Sequence, residues 1–170
     1  MKAPTQIRRG TILWVSSITA LGAFVGLLAV ALISRAVVGS ADAPYIAAYM
    51  GAAAVLIFAA PHSPLCQPWA LIVGHVSSAL VGVTCYKLIP DPLLASVTAV
   101  ALAIFVMQLL RCLHPPGGAA AMVAVLGGPA IHELGYWYAL TPVGLNALVM
   151  LVVALLVNNA IPGRHYPARA

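Results

Sequence analysis

Two short stretches set a histidine among helix breakers inside otherwise apolar sequence: Leu113-His114-Pro115-Pro116-Gly117-Gly118, and Pro61-His62-Ser63-Pro64-Leu65-Cys66-Gln67-Pro68. Proline has no amide hydrogen to give a helix and glycine holds one poorly, so each stretch ends one helix and starts another. At membrane depth the freed backbone groups find no partner in lipid and must face protein, water or a ligand. A helix that begins there offers unpaired amides and a positive dipole end, which can hold a small anion without a full positive charge. Gly117 and Gly118 would let a ligand approach the backbone, although helix packing alone calls for the same small residues. His114 donates from a neutral ring and becomes a cation on protonation near its ordinary pKa of about 6.5, which suits proton-coupled anion uptake. His62, Ser63 and Gln67 supply donors at the first break. His75, after Gly74, is too deep in its apolar run for an interface residue and could complete a histidine cluster. Gln108 either lines a pathway or bonds another helix. The expected substrate-binding set is His62, Ser63, Gln67, His75, Gln108, His114, Gly117 and Gly118, and Gly117→Val is expected to stop flux in a folded protein.

Other chemistries find less support. No Glu-x-x-His or His-x-x-x-His pair accompanies the histidines and no carboxylate lies near them in sequence, so no metal site is expected. Ser63 beside His62 lacks an acid partner and a Gly-x-Ser-x-Gly elbow, so neither an enzyme nor a cofactor is expected. Cys66, Cys85 and Cys112 are widely spaced and read as buried fillers. Asp42, Asp91 and Glu133 all fall in predicted loops, whereas a cation pathway normally presents carboxylates within the membrane. Arg111, by the second break, either attracts an anion or reaches out to the headgroups, and the second role is the ordinary one at a helix end.

These residues must be positioned by membrane helices. With 63% hydrophobic residues, 6% charged residues and a mean hydropathy of +1.05, the chain is no ordinary soluble domain. The expectation is an all-α, polytopic transmembrane helix bundle forming a single domain over 1–170. Its six apolar segments are 12–33, 45–60, 69–89, 93–113, 117–128 and 143–161, two of them short and adjoining a break. At about 1.5 Å per residue those two reach about 24 and 18 Å against a hydrocarbon core of about 30 Å. The first segment is long enough to be retained rather than removed as a signal sequence. Pro44 fits the first turn of segment two, and Pro90-Asp91-Pro92 predicts an antiparallel hairpin. Residues 130–141, with His132, Glu133, Tyr136, Trp137 and Tyr138, read as interfacial.

The net charge of +5 comes from scattered cations flanking apolar runs, so it points to topology and not to nucleic acid. Lys2, Arg8 and Arg9 before the first segment and Arg164 and Arg169 after the last put both termini in the cytoplasm. That requires an even number of crossings: six, with both breaks toward the cytoplasm, or four with the short segments re-entrant. Segments two and three around the first break resemble segments four and five around the second, which predicts two units running in the same direction. Gly22 and Gly26 form a Gly-x-x-x-Gly face that suggests a homo-oligomer.

Leu113-His114-Pro115-Pro116-Gly117-Gly118-Ala119, with Ala60-Pro61-His62-Ser63-Pro64-Leu65, Gly74-His75, Asn158-Asn159 and Tyr166-Pro167, closely resembles the pattern of the HPP family of integral membrane proteins. The resemblance covers roughly residues 12–166. It implies a small multi-pass protein of a bacterial inner membrane or plastid with at least four spans, whose plastid and cyanobacterial relatives are associated with nitrite transport. Some members add a regulatory domain of the CBS type, for which this chain shows no matching stretch. The expected activity is therefore that of a transporter or channel for a small inorganic anion, nitrite first. The residues themselves specify a small anion or small polar solute and do not separate nitrite from formate, nitrate or chloride. The alternative is a structural or assembly subunit of a membrane complex that moves no solute.

Overall fold

The computed structural model describes residues 9–168, and among them it forms helices and no strand. Lys2, Arg8 and Arg169, three of the cations used to orient the chain, lie outside the described residues.

The first helix, α1 (Arg9–Ala54), turns at Gly39, where φ is 76° and ψ 177°, a backbone conformation that favours glycine. The turn makes two antiparallel legs: Val15 to Leu27 share a groove with Gly51 to Ala59, and Ala31 and Arg35 share another with Ala43 and Ala47. These legs are the first two expected segments. Because one residue makes the reversal, Asp42 falls inside the helix and not in a loop, and Pro44 lies in the opening turns of the second leg. That leg runs on through a π-helical turn (Val55–Ala59).

After the first break and its 3-10 turn (Pro64–Cys66) come α2 (Pro68–Leu88) and α3 (Pro92–Leu109). The reversal between them is the predicted Pro-Asp-Pro hairpin: Asp91 Oδ1 accepts from the Leu94 amide at 2.7 Å and caps α3. The second break leads to α4 (Pro115–Leu126), α5 (Pro129–Leu134), a π-helical turn (Ala139–Gly144) and α6 (Leu145–Asn159).

Long-range hydrogen bonds sort the ends of these helices. Trp69 Nε1 donates to Leu110 O at 3.0 Å, Tyr166 Oη to Cys66 O at 2.7 Å, and Arg164 to Thr19 Oγ1 at 3.3 Å, so both breaks and the described parts of both termini share one end of the bundle. At the far end Asp42 meets Gly128 and Thr84 meets Tyr136. The described residues thus make six helical passages, alternating in direction, of which α4 is the short one. Exposed Trp14 and Trp69 ring the break end and exposed Tyr45, Tyr86, Tyr136 and Trp137 the far end, the placement of aromatic belts at two membrane surfaces. Tyr138 departs from the expected interfacial pattern: it is fully buried, with its hydroxyl toward Ala120 O.

Small residues decide which helices touch. Gly74, Ser78 and Gly82 repeat every fourth residue on α2 and meet Gly117, Ala121 and Ala124 on α4. This close contact makes α2 and α4 parallel neighbours, as the duplicated breaks predicted. Gly22 and Gly26 are also used within the chain. A Cβ at either would strike Val157 or Met150 of α6, so a homo-oligomer would need a different face. Asn146 Nδ2 to Ser34 Oγ at 2.8 Å and Asn158 Nδ2 to Ile57 O at 3.0 Å tie α6 to α1.

Candidate functional site

The second break enters the bundle because one turn and one gap allow it. Arg111, with φ 52°, turns the chain back at the end of α3. Cys112 to His114 then run inward beside Gly74, which lies about 9 Å along α2 from Pro68. A Cβ on Gly74 would come within 2.7 Å of His114 Cβ and 2.8 Å of Cys112 O, so glycine is what admits this non-helical stretch. Its backbone is satisfied locally: Cys112 N donates to Met107 O at 2.9 Å and His114 N points to Met107 Sδ at 3.4 Å. Starting at this depth, α4 covers the remaining about 18 Å to the far end.

There His114 meets His75. Their ring centroids are 4.5 Å apart with the planes inclined at 57°, and the Tyr49 ring lies 5.6 Å from that of His75, tilted by 42°. His75 Nδ1 lies 2.8 Å from Leu71 O, and His114 Nδ1 lies 2.6 Å from Leu65 O in the first break. A carbonyl can only accept, so Nδ1 carries the hydrogen in both rings and the neutral rings each leave a bare lone pair on Nε2. Among the described residues both Nε2 atoms and the Ser78 hydroxyl are buried without a protein partner. A buried polar group left unpaired costs about 1–3 kcal/mol, so these three atoms leave hydrogen-bonding capacity unused where α2 meets the second break.

The other expected residues divide. His62 is exposed, whereas His75 and His114 are buried. Ser63 caps the 3-10 turn by accepting from Leu65 N at 3.3 Å, and Gln67 Nε2 donates to Pro61 O and Ser63 O while its Oε1 accepts from Ala168 N. These two hold the first break in shape, and with it the Leu65 carbonyl that aligns His114. Gln108 is exposed beside a separate groove of about 500 Å³ between α3 and α4, which Met107, Leu113, Pro115 and Gly118 also line. Gly117 packs against Gly74 O and Ser78 Oγ, while a Cβ on Gly118 would meet Val100 at 3.7 Å.

The start of α4 is a poorer anion cradle than its position suggests. Pro115 and Pro116 have no N–H, and Gly117 N already donates to His114 O at 2.8 Å, so three of the four amides of a helix start are gone. Unpaired polar atoms in this part of the bundle are on the imidazoles instead. Among the described residues no three His, Cys, Asp or Glu side chains gather as a metal centre. The three cysteines are free and buried, and burial pushes the Cys66 thiol up from its ordinary value.

Ser78 and Tyr49 escaped the sequence reading. Ser78 carried a signal, since it is three residues after His75 and four after Gly74 on one helical face. Tyr49 carried none, because its approach to His75 depends on how the second leg of α1 packs.

Two transmembrane proteins of Dictyostelium discoideum are similar to this chain. One is 38% identical over 151 residues, covering 86% of this chain and 48% of its own length. The other is 39% identical over 153 residues, covering 88% of this chain and 53% of its own. The chain thus spans about half the length of the curated relatives it matches. No solved structure matches it. The family model described as HPP, transmembrane region, matches residues 6–167, a span that contains both breaks, the histidine pair and the Tyr166–Cys66 contact, and the chain belongs to the HPP family of membrane proteins.

Proposed function

We propose that the chain carries a small inorganic anion across the membrane together with a proton, with nitrite as the first candidate and the His75–His114 pair as the binding site. The observation that carries this reading is the two buried Nε2 atoms, aligned by backbone carbonyls and without a protein partner. While both rings are neutral, their lone pairs repel an anion. One proton on either Nε2 turns the pair into a hydrogen-bonding cation. In a low-dielectric bundle a lone imidazolium and a lone anion are each expensive, whereas the two together are nearly neutral. The site therefore loads proton and anion jointly. Nitrite comes from the association of plastid and cyanobacterial family members with that ion. The cations support a cytoplasmic break end in a bacterial inner membrane, with Lys2, Arg8 and Arg9 leading into it and Arg111 and Arg164 located there.

The test is nitrite uptake into liposomes containing the purified protein at pH 6 and pH 8, with formate and chloride as competitors and His114→Ala as control. Protein-dependent uptake that is faster at pH 6 and lost in the variant is expected. No uptake of any of these anions would overturn the reading in favour of an assembly subunit.

A further inference from the structure

We propose that the groove between the two legs of α1 binds an anionic phospholipid, with an acyl chain between the legs and the phosphate on Arg164. This site is separate from the histidine pair and does not rest on the transport reading. The groove holds about 350 Å³ and is walled by Ala20, Ala23 and Leu27 on one leg and Ala54, Val55 and Phe58 on the other. Gly51 and the alanines give it width: at these positions neither leg carries a side chain long enough to close the space. From Thr19 to Leu27 it runs about 12 Å along the helix axis, toward the middle of the bilayer. A groove open to lipid at that depth is filled by hydrocarbon.

Its polar end makes it selective. Arg164 reaches back from beyond α6 to the mouth of the groove, beside Ser16 and Thr19. The guanidinium is half-buried, and among the described residues it makes three hydrogen bonds, to Thr19 Oγ1 at 3.3 Å, Phe58 O at 3.1 Å and Asn158 Oδ1 at 3.4 Å, which all leave from Nη1 and all go to neutral oxygens. Those bonds fix the position of the group without neutralising its charge. A phosphodiester at the headgroup level satisfies Nη2 and Nε in the paired geometry that arginine favours, with the two hydroxyls as further donors. Trp14 and Trp69, exposed at the same end, mark that level.

The experiment is native mass spectrometry of the purified protein in detergent with added phosphatidylglycerol, phosphatidylcholine or inorganic phosphate. The variants are Arg164→Gln and Ala20→Phe, the second of which fills the groove and leaves Arg164 in place. The native protein is expected to retain phosphatidylglycerol at least about fivefold better than phosphatidylcholine. Arg164→Gln is expected to lose that preference, and Ala20→Phe to lose both lipids while keeping its fold by circular dichroism. Equal retention of the two lipids, or an Ala20→Phe protein that holds phosphatidylglycerol like the native one, would overturn the proposal. So would displacement of the lipid by millimolar phosphate, or a dimer that Ala20→Phe abolishes, which would give the groove to a second copy.

Discussion

His75 and His114 face each other with ring centroids 4.5 Å apart, and each is pinned through Nδ1 to a backbone carbonyl, Leu71 O and Leu65 O respectively. Two imidazoles this close can take up at most one proton between them, because a second charge beside the first is strongly opposed. Replacing either by glutamine keeps a polar side chain but removes the proton carrier. We therefore expect His75→Gln and His114→Gln each to lower nitrite uptake at pH 6 by at least about tenfold, with the double variant no worse than the more severe single one. The sign of the pH effect follows from the bare Nε2 atoms. An anion needs one of them protonated, so uptake falls as pH rises from 6 to 8. Flux in the double variant at the native level would remove the pair from the pathway.

Gly117 and Gly118 part company in the structure. A Cβ on Gly117 would lie 2.8 Å from Gly74 O and 2.9 Å from Ser78 Oγ, pushing α4 off α2. Overpacking of this kind costs about 1–3 kcal/mol, so Gly117→Ala should lower the unfolding temperature in detergent and Gly117→Val should leave little folded protein. The latter replaces the sequence-based expectation of a folded but inactive protein. A Cβ on Gly118 would meet Val100 at an ordinary 3.7 Å, and Gly118→Ala should unfold within a degree or two of the native protein. Paired melting curves and gel filtration decide the matter.

What could be read ahead of the structure was set by local chemistry. The α2–α3 reversal was legible because its causes, two prolines and the capping Asp91, are neighbours in sequence. His75 was legible by depth, since a histidine well inside an apolar helix has to meet something. The choice between His62 and His114 was not legible, although their surroundings look alike. Which break turns inward depends on Gly74, far from the second break in sequence, making room for Cys112 O. Asp42 was misread for a related reason. A chain that reverses at the single residue Gly39 has no loop there, so the acid beside the reversal is carried into a helix.

Tyr166 joins the segment after α6 to the first break. Asn159 holds its backbone through Nδ2 to Tyr166 O at 2.7 Å and Tyr166 N to Oδ1 at 3.0 Å, and the phenol donates to Cys66 O at 2.7 Å. Tyr166→Phe removes the last bond and should cost about 1–3 kcal/mol, because it leaves a buried carbonyl unpaired. Burial, together with the neighbouring Cys66 thiol, also raises the phenol above its ordinary value of 10.0. The folded protein holds this proton where the unfolded chain has lost it. The contribution is therefore fully present below pH 10 and is lost as pH rises above it. Melting temperature plotted against pH should fall less steeply above pH 10 in Tyr166→Phe than in the native protein, and parallel curves would refute the assignment.

Asp42 locks the far end. Its Oδ1 accepts from Gly128 N at 2.9 Å, joining the start of the second leg of α1 to the junction of α4 and α5, and the residue is only 4% exposed. The Gly128 amide sits at a helix start and has no partner within α5, so the carboxyl group supplies the acceptor that the helix lacks. Asp42→Ala strands that amide and should destabilise by about 1–3 kcal/mol, whereas Asp42→Asn keeps an acceptor oxygen and should lose less. The contact also leaves no space on the glycine side, since a Cβ there would run into the Asp42 carboxyl group. Gly128→Ala should therefore destabilise the native protein but add little to Asp42→Ala, where the obstructing group is gone. That non-additivity, measured as a double-mutant cycle on thermal unfolding, separates a packed hydrogen-bonded clasp from two unrelated surface effects, which would simply add.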